Sequence, residues 1–270
     1  MPRYRLFATD LDGTLFGSDL TISERTRSAL LALGDRGVAL VLATGRMYQA
    51  TLPFAQELGI TTPLITYQGA WIRYPHGGKD VWHKVMEVDL AREALAALAE
   101  TGLHVNLYLN DTLYLKNLNE AARGYTALAR VDFELIPDWE AALAKGGPTK
   151  LVAIGPEPEI VKWQAILKER FKDRMFVTQS QPTFLEFAGP MVGKGNALKH
   201  LAEELGIRRE EIVAVGDGLN DLDMIEFAGL GVAMGSGHPG LKAAADRVTA
   251  GLKEDGVAVL IEQLIAEGSL

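Results

Sequence analysis

Asp10 and Asp12 stand two residues apart in Asp10-Leu11-Asp12-Gly13-Thr14, directly after the apolar run from Tyr4 to Ala8. Such a run reads as a strand, and open α/β sheets bind their ligands at the carboxyl ends of strands. In extended backbone, residues two apart point the same way, so both carboxylates can face one cation or one phosphate. Gly13 lets the chain turn sharply and approach a ligand with its backbone. Taken alone, the pair reads equally as a helix N-cap or a solvated turn, since Asp is favoured in both. A calcium loop is excluded: counted from Asp10, position 6 is Leu15, where glycine is required, and position 12 is Thr21, where a bidentate Glu is required.

Complementary groups follow other apolar runs. Gly216-Asp217-Gly218-Leu219-Asn220-Asp221 comes after Ile212–Val215 and adds two carboxylates and an amide. Two unit charges ~4 Å apart at an effective dielectric of 20 repel by about 4 kcal/mol, so converging aspartates call for a cation. Oxygen donors and the absence of cysteine favour Mg²⁺, which keeps waters that a phosphate can displace. Thr44 offers a hydroxyl and Gly45 a bare backbone N–H after the run Val38–Ala43, and together they can hold a phosphoryl oxygen. Lys194 precedes a helix beginning near Gly195, where its charge and the helix N-terminus both attract an anion. Each of these has an ordinary reading by itself, as a turn or a solvated charge. Their recurrence at successive strand ends carries the functional reading.

The elements that position them alternate. Ser23 to Gly37 has helical spacing, with Ser23 as N-cap, Ala29, Leu30 and Leu33 on one face and Gly37 as the stop. Val38–Ala43 is a continuous apolar run that suits a strand buried on both faces of a parallel sheet, and Pro63–Tyr67 reads as another. Late in the chain come a helix from about Gly195 to Leu205, the strand Ile212–Val215, a short helix from Asp221 and a strand Gly231–Met234. Alternating strands and helices predict an α/β fold, a Rossmann-like, doubly wound parallel sheet. The middle differs, with paired short strands at His104–Leu109 and Thr112–Leu115, helices near Asn119–Ala129 and Glu157–Phe171, and strands at Met175–Val177 and Phe184–Phe187. This predicts an inserted α+β domain. Its edges fall near Arg73–Gly78 and Ala188–Pro190, giving a core of residues 1–83 plus 188–270 and an insertion of residues 84–187.

Composition bounds the function. At 270 residues the chain is long enough for two domains, and 48% hydrophobic with 23% charged residues is ordinary for a globular protein. A net charge of -8 argues against a nucleic-acid binder and tolerates a bound metal ion. The absence of cysteine excludes disulfides and thiolate chemistry, and fits a reducing cytoplasm. No apolar run approaches the ~18 residues of a membrane span, and the start of the chain is too short in apolar residues for a signal peptide. A soluble intracellular protein is the expectation; oligomeric state is not legible.

The motifs DLDGTL, LATGR, GKGNAL and GDGLNDLDM, in that order, resemble those of the haloacid dehalogenase superfamily, and within it the Cof-like branch with an α/β cap of the second, B, type. The similarity continues through GLGVAM, KAAADRVT and EDGVAVLIEQL, covering the core from end to end. It implies a phosphatase in which Asp10 attacks phosphorus to form an aspartyl phosphate, while Asp12 protonates the leaving oxygen and then activates water. Asp10, the Asp12 carbonyl and Asp217 would hold Mg²⁺. Thr44, Lys194 and Asn220, with the N–H groups of Leu11 and Gly45, would hold phosphate oxygens, supported by Asp221 and Arg46. The substrate implied is a small phosphorylated metabolite, a sugar phosphate or a phosphorylated cofactor precursor. Two departures stand out: Gln68-Gly69-Ala70 where many relatives have Asn-Gly-Ala, and Met234-Gly235-Ser236-Gly237 where relatives often have Met-Gly-Asn-Ala. The first places altered leaving-group recognition near that loop.

Rival readings are weaker. Gly235–Gly240 matches a dinucleotide fingerprint, but Val248-Thr249 already reads as the next strand and leaves too little helix. Gly189–Lys194 lacks the Ser or Thr that a P-loop supplies to its metal. A phosphoacceptor signalling module needs neither Asp12 nor a large insertion. A sugar-phosphate phosphomutase shares the chemistry and remains open. Tyr108, Asn110, Lys150 and Glu186 are polar candidates for substrate contacts in the insertion.

Overall fold

The computed structural model describes residues 2–77 and 79–270; Met1 and Gly78, the latter part of the expected domain edge, lie outside them. In chain order the elements are β1 (Leu6–Thr9), α1 (Glu24–Gly34), β2 (Ala39–Leu42), α2 (Tyr48–Glu57), β3 (Leu64–Thr66), β4 (Trp71–Arg73), β5 (Asp80–His83), α3 (Val88–Ala99), β6 (His104–Leu109) and β7 (Thr112–Leu115). They continue with α4 (Glu120–Ala129), β8 (Phe133–Leu135), α5 (Glu140–Leu143), β9 (Lys150–Ile154), α6 (Glu157–Arg170), β10 (Phe176–Gln181) and β11 (Phe184–Ala188). The chain ends with α7 (Lys194–Leu205), β12 (Ile212–Gly216), α8 (Leu222–Phe227), β13 (Leu230–Ala233), α9 (Pro239–Ala244), β14 (Arg247–Val248) and α10 (Gly256–Ala266). Two compact units result, the first comprising Met1–Gly45, Thr51–Val81 and Gly193–Leu270, the second Arg46–Ala50 and Trp82–Val192.

In the first unit a parallel sheet has the order β14-β13-β12-β1-β2. The chain moves outward from β1 to β2, then returns to β12 on the other side of β1. That reversal is the switch point at which doubly wound sheets bind ligands. The α/β organisation is the expected one: β1, β12 and β13 are buried throughout and β2 from Leu40 on, as parallel strands must be, while the two-residue edge strand β14 is exposed. α1 starts where Ser23 Oγ accepts the Thr26 N–H at 3.1 Å, so the cap read from sequence is formed. α1 packs on α10 and α7 on α8. β3 reaches the sheet through a parallel bridge between Ala43 and Ile65, and its main partner is β4, antiparallel.

The second unit carries a sheet of order β10-β11-β9-β6-β7-β8, antiparallel except between β7 and β8. Alternate residues Leu107, Leu109, Leu151, Ala153, Leu185 and Phe187 pack on α3 and α6 residues including Ala94, Leu98, Ile160 and Leu167. The other alternation carries His104, Asn106 and Tyr108 on β6, Lys150 on β9 and Glu186 on β11, brought side by side by the pairings Tyr108 with Lys150 and Asn106 with Val152. Asn110 and Asp111, with φ of 51° and 60°, make the tight turn between β6 and β7.

Candidate active site

Register places the chemistry. Thr9 pairs with Leu42 on one side and Val215 on the other, so Asp10, Ala43-Thr44 and Gly216-Asp217 leave the sheet side by side. The Asp10 N–H donates to the Val215 carbonyl at 3.0 Å and the Ala43 N–H to the Thr9 carbonyl at 2.9 Å. Lys194, the first residue of α7, is fully buried, and its Nζ donates to Asp10 Oδ1 and to Asp221 Oδ1, each at 2.6 Å. The second oxygen of Asp221 accepts the N–H groups of Asp217 and Gly218 at 3.0 and 2.9 Å. Thr14 Oγ1 donates to Asp217 Oδ1 at 3.4 Å. Gly13 has φ of +82°, and a Cβ built there would lie 2.2 Å from Asp217 Oδ2, so the acidic loops meet only because that position carries no side chain.

Charge in this cluster is unbalanced. Burial and the neighbouring carboxylates of Asp221, Asp217 and Asp12 push the Asp10 carboxyl well above its ordinary range, against the pull of Lys194. Burial and Asp221 raise Asp217 to about 7. Burial works against the charge of Lys194, but Asp10 and Asp221 outweigh it and hold the ammonium protonated. Asp10, Asp217 and Asp221 each offer a carboxylate oxygen within 4.8 Å of the others. An oxygen-only set, buried at Asp10 and Asp221 and half-buried at Asp217, that raises its own proton affinity fits a hard divalent cation, whose charge would relieve the same repulsion. Both oxygens of Asp221 are already engaged, one by Lys194 and one by backbone, so Asp10 and Asp217 are the better placed ligands.

Residues 7–261 match the family model of haloacid dehalogenase-like hydrolases. The chain belongs to that family. This haloacid dehalogenase-like hydrolase is 30% identical over 270 residues to the 5-amino-6-(5-phospho-D-ribitylamino)uracil phosphatase YitU of Bacillus subtilis, covering 96% of each chain. It is 36% identical to TM0651 of Thermotoga maritima, whose crystal structure superposes with a TM-score of 0.83 over 96% of this chain and 97% of that one. The subclass IIB sugar phosphatase BT4131, at 24% identity, has the same fold, with a TM-score of 0.84 over 98% of this chain and 100% of that one. The hydrolase is a phosphatase. Among its described residues no helix is long and apolar enough to cross a membrane.

The structure gathers Asp10, Lys194, Asp217 and Asp221 by direct contact or short separation, with Asp12 near enough to perturb Asp10. Leu11 is buried, and its carbonyl accepts the N–H groups of Thr14, Leu15 and Phe16, closing the turn that carries the acids. Thr44 is tied by its carbonyl to Gln68 N–H at 3.0 Å, and Asn220 Nδ2 donates to Gln68 Oε1 at 3.2 Å, which links these two through Gln68. Gly45 ends the first unit's opening segment, whereas Arg46 groups with the second unit. Of the polar candidates in the insertion, Lys150 and Glu186 are buried and paired at 3.0 Å, Tyr108 is buried in hydrogen bond with Asn106 Nδ2 at 3.1 Å, and Asn110 is exposed at its turn.

Three residues at the site escaped the sequence reading. Thr14 steadies Asp217 and was visible only as the end of the first acidic motif. Asp223 accepts the Gly195 N–H, so it satisfies a donor in the first turn of α7 and fixes the helix that carries Lys194. Its signal was a further carboxylate two residues past Asp221. Gln68 is expected from sequence only to mark altered leaving-group recognition near its loop, not to contact Thr44 and Asn220.

Proposed function

We propose that the protein is a Mg²⁺-dependent phosphomonoesterase for a small phosphorylated metabolite, working through an aspartyl phosphate on Asp10. The observation that carries the proposal is Lys194, buried between Asp10 and Asp221 at the sheet's switch point beside Asp217. An anionic nucleophile attacking a dianion needs fixed positive charge at that place. Asp10 and Asp217, with the Asp12 carbonyl, would hold Mg²⁺, which when bound supplies positive charge against the incoming phosphate.

Asp10 forms a bond to phosphorus as the bond to the ester oxygen breaks, and protonated Asp12 delivers its proton to that departing oxygen. Asp12, now a carboxylate, takes a proton from water as the water oxygen attacks phosphorus and the bond to Asp10 breaks, releasing inorganic phosphate. Thr44, Gly45, Leu11, Lys194 and Asn220 hold the remaining oxygens, while Asp221 orients Lys194 and Arg46 supports the loop. Residues 84–187 act as the cap domain that sets leaving-group specificity, and residues 1–83 with 188–270 as the hydrolase core. The uracil-derived substrate in the name of YitU supports a sugar-phosphate or cofactor-precursor substrate, and the missing cysteine supports a cytoplasmic setting.

The test is a screen for phosphate release from a phosphometabolite panel with and without Mg²⁺. Turnover that depends on the metal and disappears in Asp10→Asn is expected. Metal-independent release, or full activity of Asp10→Asn, overturns the mechanism; isomerisation of a sugar phosphate without phosphate release shows a mutase instead.

A further inference from the structure

The turn between β3 and β4 presents a buried amide N–H that finds no acceptor among the described residues. Tyr67 and Gln68 both adopt left-handed backbone, with φ of 54° and 59°, a region that side-chain-bearing residues rarely occupy. Three contacts hold Gln68 there: its N–H donates to the Thr44 carbonyl at 3.0 Å, its Oε1 accepts Asn220 Nδ2 at 3.2 Å, and the next residue, Gly69, sits against the Gly193 carbonyl at the start of α7. Gln68 is only 1% exposed, and its Nε2 has no hydrogen-bond partner among the described residues. Native proteins rarely leave a buried donor unmet, because it has lost water and gained nothing.

The direction of that donor is informative. A Cβ built on Gly45 would lie 2.4 Å from Gln68 Nε2, so the amide occupies the space that a side chain at 45 would fill. With Oε1 committed to Asn220, Nε2 lies against Gly45, in the loop that begins with Thr44. On the reading of the preceding subsection, on which this inference rests, those residues line the phosphate site. An unmet N–H donor there calls for an anionic oxygen.

We propose that Gln68 Nε2 donates a hydrogen bond to a non-bridging phosphoryl oxygen, making Gln68 a substrate-binding residue that recognises the phosphate itself. The turn's strained backbone and its bond to Thr44 then serve to place one amide, and Asn220 acts on phosphate both directly and by orienting Gln68. This differs from the sequence expectation, which put leaving-group recognition at this loop.

The test uses Gln68→Met, which keeps length and removes the donor, and Gln68→Asn, which tolerates left-handed backbone and ends one methylene short. Calorimetry measures the Kd for inorganic phosphate in the presence of Mg²⁺, and kcat/KM is measured for p-nitrophenyl phosphate and for an alkyl phosphate. In Gln68→Met, phosphate affinity and kcat/KM for both esters are expected to fall together, on the order of 10- to 100-fold, with thermal stability retained. Gln68→Asn shows a smaller loss in the same direction and decides the matter if Gln68→Met does not fold. Unchanged phosphate affinity in both variants overturns the proposal, as does a loss confined to one leaving group. Wild-type protein that neither binds phosphate nor turns over esters overturns the phosphatase mechanism, whereas an active wild type with unaltered variants overturns the Gln68 assignment alone.

Discussion

Lys194 is a buried cation whose stability depends on its two carboxylate partners. Breaking a buried pair by removing one member typically costs about 3–5 kcal/mol, because the remaining charges lose their compensation. Lys194→Met leaves Asp10, Asp217 and Asp221 facing one another, and its melting temperature is expected to fall by several degrees in EDTA. Added Mg²⁺ should recover part of that loss, since it answers the same repulsion. A melt that is unchanged in EDTA would show that Lys194 does not carry this balance. Asp12→Asn belongs to the same scale. It removes the proposed proton donor and should slow alkyl phosphates about 10²–10⁴-fold, but p-nitrophenyl phosphate much less, because that leaving group departs without a proton. Equal losses for the two esters would argue against Asp12 as the acid.

Among the elements, α7 has the most to lose from a single contact. Its N-cap is Gly193, which has no side chain to offer, and the Gly195 N–H is met instead by Asp223 from the start of α8. Asp223→Ala removes that partner and should cost about 0.5–2 kcal/mol, the usual worth of a cap. Because Lys194 is the first residue of the helix, fraying there also loosens its grip on Asp10. The expected outcome is a lowered melting temperature together with a weakened kcat/KM; a stability loss with unchanged kinetics would mean that α7 needs no cap to hold Lys194. The elements also differ in how far sequence revealed them. β1, β2 and β12 were legible because each is an unbroken apolar run ended by Asp, Thr or Gly. β9, central to the second sheet, carries the same signal, the apolar run Leu151–Ile154 ended by Gly155, yet was not among the expected strands; what no local pattern encodes is the pairing of its Lys150 with Glu186 from β11. α3 went unread, and three-residue strands such as β8 are too short to show a period.

For the whole molecule, a ligand that binds only the folded state stabilises it by mass action. Mg²⁺ at 100 times its dissociation constant is expected to add about 2.7 kcal/mol, seen as a rise in the first unfolding transition that follows metal concentration and is reversed by EDTA. The carboxylates concerned all lie in the first unit, so a second, separable transition of the inserted unit should not move. A thermal melt without any metal dependence would contradict a metal site built from Asp10 and Asp217.

The sequence by itself determined the α/β order, the family, and which strand ends carry acids, hydroxyl and amine. Those properties are local: apolar runs make strands, glycine and aspartate end them, and motif spacing survives without coordinates. The tertiary structure decided how those groups are partnered. Lys194 meets Asp10 across 184 residues and Asp221 across 27, and the choice of Asp221 as its orienting partner follows from backbone N–H groups that occupy the other oxygen. Gln68 gained meaning only beside Gly45 and Asn220, which lie 23 residues before it and 152 after it. Such pairings depend on strand register and on the chain's return across β1, and a period of two or 3.6 residues contains no information about either.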